Sequence, residues 1–439
     1  PLILLYSRGY VFDFSNGELI STGGLFVKTA QSGARVFVDS DISSQVSFIS
    51  RGTLITNLAP RRYSIRVEKE GHLSWQKTIR VSNQEVVEFR DVFLPPATVT
   101  PHAVYGVSRG QPAKLVAIAG RRELGVETGT KTRGMTVVVV NPNLQRSSVN
   151  FVKVATWFWD EGAGSFFVSR LVDGQVRWYR LDFSSIGTKE ELIPFRGLPP
   201  DFSAERVTPH PNAPDDFYFF AGGALFLQGR ANVPVPIADG VHTYTVTEDR
   251  IYYLTRTGFF VESDLNGENS KVLGRKGLLL DTNEPAEILL APTGDVVVRD
   301  SSGGLFLYQP GRDQELGLVG GNAIQVDFSE NGDRMIWRDN NHVWLYWLRD
   351  NPRQPFDLAR TKKQLVNSER PILSAYLNNS GSHIFWATAG SIHMTEVDDR
   401  ANANSYQLLT GDVRAFLLDK ERTILYWLDA SRLLRASLE

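Results

Sequence analysis

Between Ile324 and Leu348 the chain reads IQVDFSENGDRMIWRDNNHVWLYWL, three apolar runs separated by two polar turns, Ser329-Glu330-Asn331-Gly332-Asp333 and Asp339-Asn340-Asn341. Short apolar runs bounded by Ser, Asn, Asp and Gly predict strands joined by tight hairpins. The pattern recurs along most of the chain. Second strands are expected at Lys114 to Gly120, Ser165 to Leu171, Phe217 to Gly222, Arg250 to Arg256, Asp295 to Ser301, Arg334 to Asn340, His383 to Thr388 and Thr423 to Asp429. Each is followed by a partner run, from Thr136 to Asn141 in the first copy to Arg432 to Glu439 in the last, and more polar runs such as Lys271-Val272-Leu273 and Gln407-Leu408-Leu409 close some copies. Four-stranded units repeating at roughly 40 residues predict a β-propeller. The count favours eight blades, with seven as the alternative.

The stretch 22–94 has a different rhythm. Gly24-Leu25-Phe26-Val27-Lys28 and Ala34-Arg35-Val36-Phe37-Val38-Asp39 are strand-like about a Ser32-Gly33 turn, and Tyr63-Ser64-Ile65-Arg66-Val67-Glu68 alternates apolar and polar without a break. Strict alternation places one face in a core and the other in water. With runs at Thr78 to Val81 and Glu85 to Phe89, the expectation is a small antiparallel β-sandwich in which Trp75 supplies much of the core.

These residues resemble the PEGA domain. The marks are Gly33-Ala34-x-Val36-x-Val38-Asp39, then Leu58-x-Pro60-x-x-Tyr63-x-Ile65-x-Val67, then Gly71-His72 with Trp75. Together with the apolar start Pro1-Leu2-Ile3-Leu4-Leu5-Tyr6, the segment Tyr6-Ser7-Arg8-Gly9-Tyr10 and Thr22-Gly23-Gly24-Leu25, the layout resembles bacterial proteins held at a membrane by one N-terminal helix. The resemblance implies an extracytoplasmic propeller in the cell envelope and brings no catalytic residues with it. The stub 1–21 is then expected to be the end of a membrane anchor, although its six-residue apolar run is far short of the ~20 needed to span a bilayer.

Pro95-Pro96 stiffens the junction after the sandwich, because proline fixes φ and removes a donor. The last copy ends after three strands, so the linker 95–101, and Ala97 to Pro101 within it, is the expected ring-closing strand, ahead of a propeller over 102–439. Composition narrows the function. Across 439 residues, 47 Lys and Arg stand against 49 Asp and Glu, so no net field selects nucleic acid. The absence of cysteine removes disulfides, thiolate catalysis and thiolate metal sites.

No GxSxG elbow, HExxH helix or Walker A loop is present. The segment Gly120 to Gly134, GRRELGVETGTKTRG, has the wrong spacing for a phosphate loop and reads as a long hairpin loop, which makes Arg121, Arg122, Lys131 and Arg133 candidate contact residues. Thr100-Pro101-His102 and Thr208-Pro209-His210 occupy matching places in two repeats, with His242 near the same place in a third, so His102 and His210 are candidates as well. Repeat ancestry alone also accounts for them. Asp264 to Asn269 reads as a hairpin turn more than a calcium loop, and the pairs Asp215-Asp216 and Asp398-Asp399 as turns. Phe220, Tyr253, Trp337, Trp386 and Tyr426 align at one core position, whereas Trp157, Trp159, Trp178, Trp344, Trp347 and Trp427 are less regular, and Trp157 and Trp159 join the candidate contacts.

The sequence thus predicts an all-β, non-enzymatic surface protein of the envelope, using a propeller to bind an envelope or surface protein, without cofactor, metal or nucleic acid. Binding or processing of cell-wall or surface glycan is the alternative.

Overall fold

The computed structural model describes residues 10–438 except 14–17, 40, 48–49, 108–112, 119–122, 131–133, 141–145, 152–153, 161–164, 183–188, 194, 196–197, 199–201, 203, 230–232, 275–276, 279, 281–285 and 422. Among the described residues every regular element is a strand. Among them no helix is long and apolar enough to cross a membrane. The chain forms two compact units, Pro1–Tyr105 with Gln325–Glu439, and Gly106–Ile324.

The first unit opens with a hairpin, β1 (Tyr10–Asp13) and β2 (Glu18–Ser21), followed by the sandwich. Its strands are β3 (Gly23–Thr29), β4 (Arg35–Val38), β5 (Asp41–Gln45), β6 (Gly52–Leu58), β7 (Arg62–Glu68), β8 (Trp75–Arg80) and β9 (Val86–Val92), arranged as sheets β6-β3-β9 and β5-β4-β7-β8. Alternation does the sorting: Tyr63, Ile65 and Val67 of β7 point inward with Val36, Leu25, Val27 and Phe89, around Trp75. Each such side chain contributes about 1.5–3 kcal/mol when fully buried. Trp75 meets Phe89 edge to face at 4.9 Å. The sandwich is not wholly antiparallel, because β3 pairs β9 in parallel. A parallel pair needs a crossover, and here the chain makes the whole second sheet before returning. Gly33 turns between β3 and β4 at φ 77°, a conformation that favours glycine.

The same unit holds three four-stranded sheets, over 325–367, 372–410 and 415–437. In the last, β10 (His102–Gly106) adds beside Arg432–Ser437 as the fourth strand. The segment 97–101, expected in that place, carries no strand; instead Val99 is buried with Phe416, Trp427 and Leu438 in the core between sheets. Polar staples tie the three sheets together. Asp327 accepts from Lys420 Nζ at 2.8 Å and from the Leu377 amide at 2.8 Å, while Arg334 Nη1 donates to the Gly381 carbonyl at 2.8 Å.

The second unit contains five four-stranded antiparallel sheets, over 113–151, 154–192, 206–238, 241–272 and 287–320. The expected hairpin loop 120–134 is corrected here: Glu123–Thr130 is a strand, paired with Ala113–Ile118 on one side and Gly134–Val140 on the other. Leu124, Val126 and Thr128 carry the alternation that its glycines and charges conceal. It follows that Lys114 begins a first strand of its sheet, not a second.

Candidate functional site

The sandwich is seated on the sheet over 372–410, within the first unit, through charged groups that the strand pattern forces indoors. On β8 the side chains alternate buried and exposed, so Lys77 shares the inward face with Trp75 and Ile79 and is fully buried. A buried ammonium requires partners. It pairs with the Glu396 carboxylate and donates to the carbonyls of Asp398 at 2.5 Å and Arg400 at 2.9 Å. Glu396, also buried, accepts from Trp75 Nε1 at 2.7 Å and Asn404 Nδ2 at 3.2 Å. Burial pushes the Glu396 pKa up against the opposing pull of Lys77 and Trp75. For Asp398, burial alone would also raise the pKa, but the Arg400 guanidinium and Lys77 outweigh it and hold the group below the usual carboxylate range.

A second set of contacts closes the sandwich edge. Strand β9 is the outer strand of its sheet. The carboxamide of Gln354, in the loop after the strand His342–Trp347, acts as a stand-in for a neighbouring strand: Nε2 donates to the Val86 carbonyl at 2.9 Å and Oε1 accepts the Glu88 amide at 3.0 Å. Arg400 completes the clamp, donating to the Glu88 carbonyl at 2.7 Å and to Gln354 Oε1 at 2.9 Å, with its guanidinium 4.5 Å from the Phe89 ring centre. Replacing Gln354 with alanine is expected to cost about 1–3 kcal/mol and to speed hydrogen exchange at the Glu88 amide, which exchange mass spectrometry of the β9 peptide reads directly.

Between these contacts lies a cleft of about 430 Å³, within the range of about 300–1,000 Å³ usual for ligand sites. Phe89, Arg90, Asp91 and Val92 form one wall, Arg334 and Trp347 another, and Arg353 and Gln354 a lip. Arg334 lies 4.0 Å from the Trp347 ring centre and is held by Asp333 through Nε and Nη2, each at 2.8 Å. The Trp347 indole nitrogen is buried without a hydrogen-bond partner. A smaller hollow of about 200 Å³ shares Arg90 to Val92, Ser380, Ser382 and His383 with the cleft and adds Lys28 and Arg51.

Ser382 Oγ lies 2.8 Å from His383 Nδ1, the spacing of a nucleophile and its base. The imidazole is poorly suited to that work. Burial, with the Lys77 charge behind it, pushes its pKa down to about 4, far from the near-neutral value that general-base catalysis favours. Three of the four carboxylates that line the cleft are similarly committed, Asp333 to Arg334, Glu396 to Lys77 and Asp398 to Arg400, while Asp91 makes no such pair among the described residues.

Of the residues singled out in the sequence, Trp75, Trp347 and Asp398 line the cleft. Arg121, Arg122, Lys131 and Arg133 fall outside the described residues. Trp157 and Trp159 lie on the strand Val154–Asp160, in register with Val168 and Phe166. His102 is exposed on β10. His210 belongs to the second unit, stacks on Tyr218 at 5.4 Å, accepts the Asn212 amide at 3.2 Å, and has its pKa lowered by burial. His242 Nε2 accepts the Ala286 amide at 3.4 Å. Among the described residues no group of three His, Cys, Asp or Glu is placed to hold a metal. Asp264 spends its carboxylate on the amides of Asn266 and Glu268 and on Asn269 Nδ2, as a turn does. Asp215 and Asp216 are on the strand Ala213–Ala221, not in a turn, where the register slips between Pro209 and His210. Asp398 and Asp399 follow the strand Ser391–Glu396, outside any strand.

Sequence reasoning passed over Lys77, Glu396, Arg400, Gln354 and His383. Lys77 carried a signal, since a lysine in phase with Trp75 and Ile79 is a charge on a core face.

The PEGA domain family matches residues 22–95. No curated protein matches the chain. Among solved structures, Saccharomyces cerevisiae Sqt1 is similar at 9% identity and a TM-score of 0.48, covering 79% of this chain and 99% of that one. The computationally designed Ika8 protein follows at 11% identity and 0.46, covering 76% and 99%, and Kluyveromyces lactis Hsv2 at 11% and 0.42, covering 69% and 99%.

Proposed function

We propose that the eight four-stranded sheets outside the sandwich are the blades of a propeller, and that the protein is a non-enzymatic component of a bacterial cell envelope, anchored by an N-terminal membrane helix, that binds another envelope protein. The observation that carries this reading is the cleft beside β9: a charged recess in which three of the four carboxylates are tied up in ion pairs, leaving an edge strand and cations without an ion pair as its accessible chemistry. Such a recess binds more readily than it catalyses. Propellers suit the role because their loops and faces present broad surfaces on a stiff frame.

The tryptophans bear on the glycan alternative. Six of the nine, Trp75, Trp178, Trp337, Trp347, Trp386 and Trp427, are buried, and Trp344 is half-buried, stacked on Trp337 at 6.1 Å. Buried indoles fill cores and offer no sugar platform. The test is capture from detergent-solubilised bacterial envelope on the immobilised whole chain. A stoichiometric protein partner is expected; retention on purified wall glycan with no protein partner would contradict the reading.

A further inference from the structure

We infer that the cleft takes an extended, acidic peptide segment, added as a strand along the part of β9 that the Gln354 clamp leaves uncovered. The inference rests on the protein-binding reading above and assigns it a site and a ligand chemistry.

Four features converge on it. The first is the edge. Side chains stand in for a partner strand at Val86 and Glu88, and these contacts stop there. Immediately beyond, the pairing with β3 slips: Phe89 lies opposite Val27, but Val92 lies opposite Thr29, so β9 has one residue more than its partner. Such a bulge leaves a residue outside the ladder. It falls at Arg90 and Asp91, on the cleft wall. An uncovered edge pairs readily with an extended chain, whose backbone bonds supply affinity.

Charge is the second feature. Arg353 at the cleft, whose charge acts on Glu88 from beyond ion-pair distance, makes no ion pair among the described residues, and neither do Lys28 and Arg51 in the adjoining hollow. Against these three cations Asp91 is the carboxylate left without one, since Asp333, Glu396 and Asp398 are bound by Arg334, Lys77 and Arg400. The surplus favours acidic side chains. Third, the buried Trp347 N–H lacks an acceptor, which a peptide carbonyl can supply after a small shift of the wall. Fourth, the loop that carries Arg353 and Gln354 continues into Phe356 and Leu358, 70% and 71% exposed. They offer an apolar contact to alternate residues of an added strand. The loop is firm, with Asn351 Nδ2 donating to the Pro355 carbonyl at 2.6 Å and Lys363 Nζ paired with Asp357 at 2.7 Å.

The probe is a fluorescein-labelled peptide of four Glu-Val repeats, titrated into the whole protein by anisotropy. Two controls are a Lys-Val counterpart and the acidic peptide N-methylated at every residue, which has no backbone N–H to donate along either edge. Saturable binding of the acidic peptide is expected, weakened by about tenfold or more by the Lys-Val sequence, by N-methylation and by Arg353→Glu. Arg353 is exposed, so this variant leaves the fold intact. Equal binding of the N-methylated or basic peptide overturns the inference, as does no saturable binding up to about 1 mM. Binding of polygalacturonate in place of the peptide also overturns it, in favour of a glycan. Capture of an envelope protein that is indifferent to Arg353→Glu would sink this site while leaving the protein-binding function standing.

Discussion

Truncating Glu396 to alanine is expected to destabilise the first unit by about 3–5 kcal/mol, because it strands a buried ammonium. Lys77 is fully buried, and its direct carboxylate partner is Glu396, with Asp398 Oδ1 farther away at 3.7 Å. The same truncation removes the acceptor of Trp75 Nε1. Replacing the pair together, Lys77→Met with Glu396→Leu, is expected to recover part of the loss, since exchanging a buried ion pair for apolar groups removes the stranded charge but leaves the Trp75 N–H and the Asp398 and Arg400 carbonyls without these partners. Urea unfolding of the two single variants and the double variant checks both statements. A loss under about 1 kcal/mol for Glu396→Ala, the size typical of an exposed pair, would show that the two groups are not sealed from water.

Acid is expected to weaken the protein through His383. Its ordinary pKa of 6.5 falls to about 4 in the fold. The unfolded chain therefore binds more protons than the folded one between these values, so the stabilisation is fully present above pH 6.5 and is lost as pH falls toward 4. A shift of that size amounts to about 3 kcal/mol. Comparing wild type with His383→Gln isolates the contribution. His210 and His393, whose pKa values burial also lowers, act in the same sense, whereas the raised pKa of Glu396 acts in the opposite one; all three are common to both proteins. The variant's stability is expected to change less steeply between pH 6.5 and 4. Parallel curves for the two proteins would contradict the burial of a neutral imidazole at the seam.

Strand alternation and hairpin turns made most of the fold legible in the sequence, and what they left out has definite physical causes. Tyr63, Ile65 and Val67 announced β7 because its partners on one face are all apolar. The runs at Ser165, Phe217 and His383 lie on strands for the same reason. Glu123–Thr130 was hidden because two glycines and two glutamates fill the face opposite Leu124 and Val126 and give the segment the composition of a loop, and pairing on both sides, a long-range property, makes it a strand. The parallel pairing of β3 with β9 was equally out of reach, since alternation reports faces and not neighbours. Val99 illustrates a third case: an isolated valine between prolines and threonines gives no period, yet it fills the core beside Phe416.

The candidate site was less legible than the fold. Motif searching favours residues that are close in sequence, whereas Trp75 and Lys77 meet Glu396 across more than three hundred positions. Gln354 is informative in the same way. Nothing local marks one glutamine in a polar loop, and its role exists because its carboxamide matches the spacing of a strand edge from another domain. Only Lys77, out of place on an apolar face, could have been found by pattern alone.

The seating of the sandwich on the sheet over 372–410 supports the cleft, the edge clamp and the proposed ligand site together. Hydrogen–deuterium exchange of the whole chain, wild type beside Glu396→Ala, tests it most directly. Loss of protection at once in β8, in β9 and across 391–400 is the predicted result. Exchange in β8 and β9 that is unchanged when Glu396 is removed would mean that the sandwich does not depend on this seam, and would contradict the account.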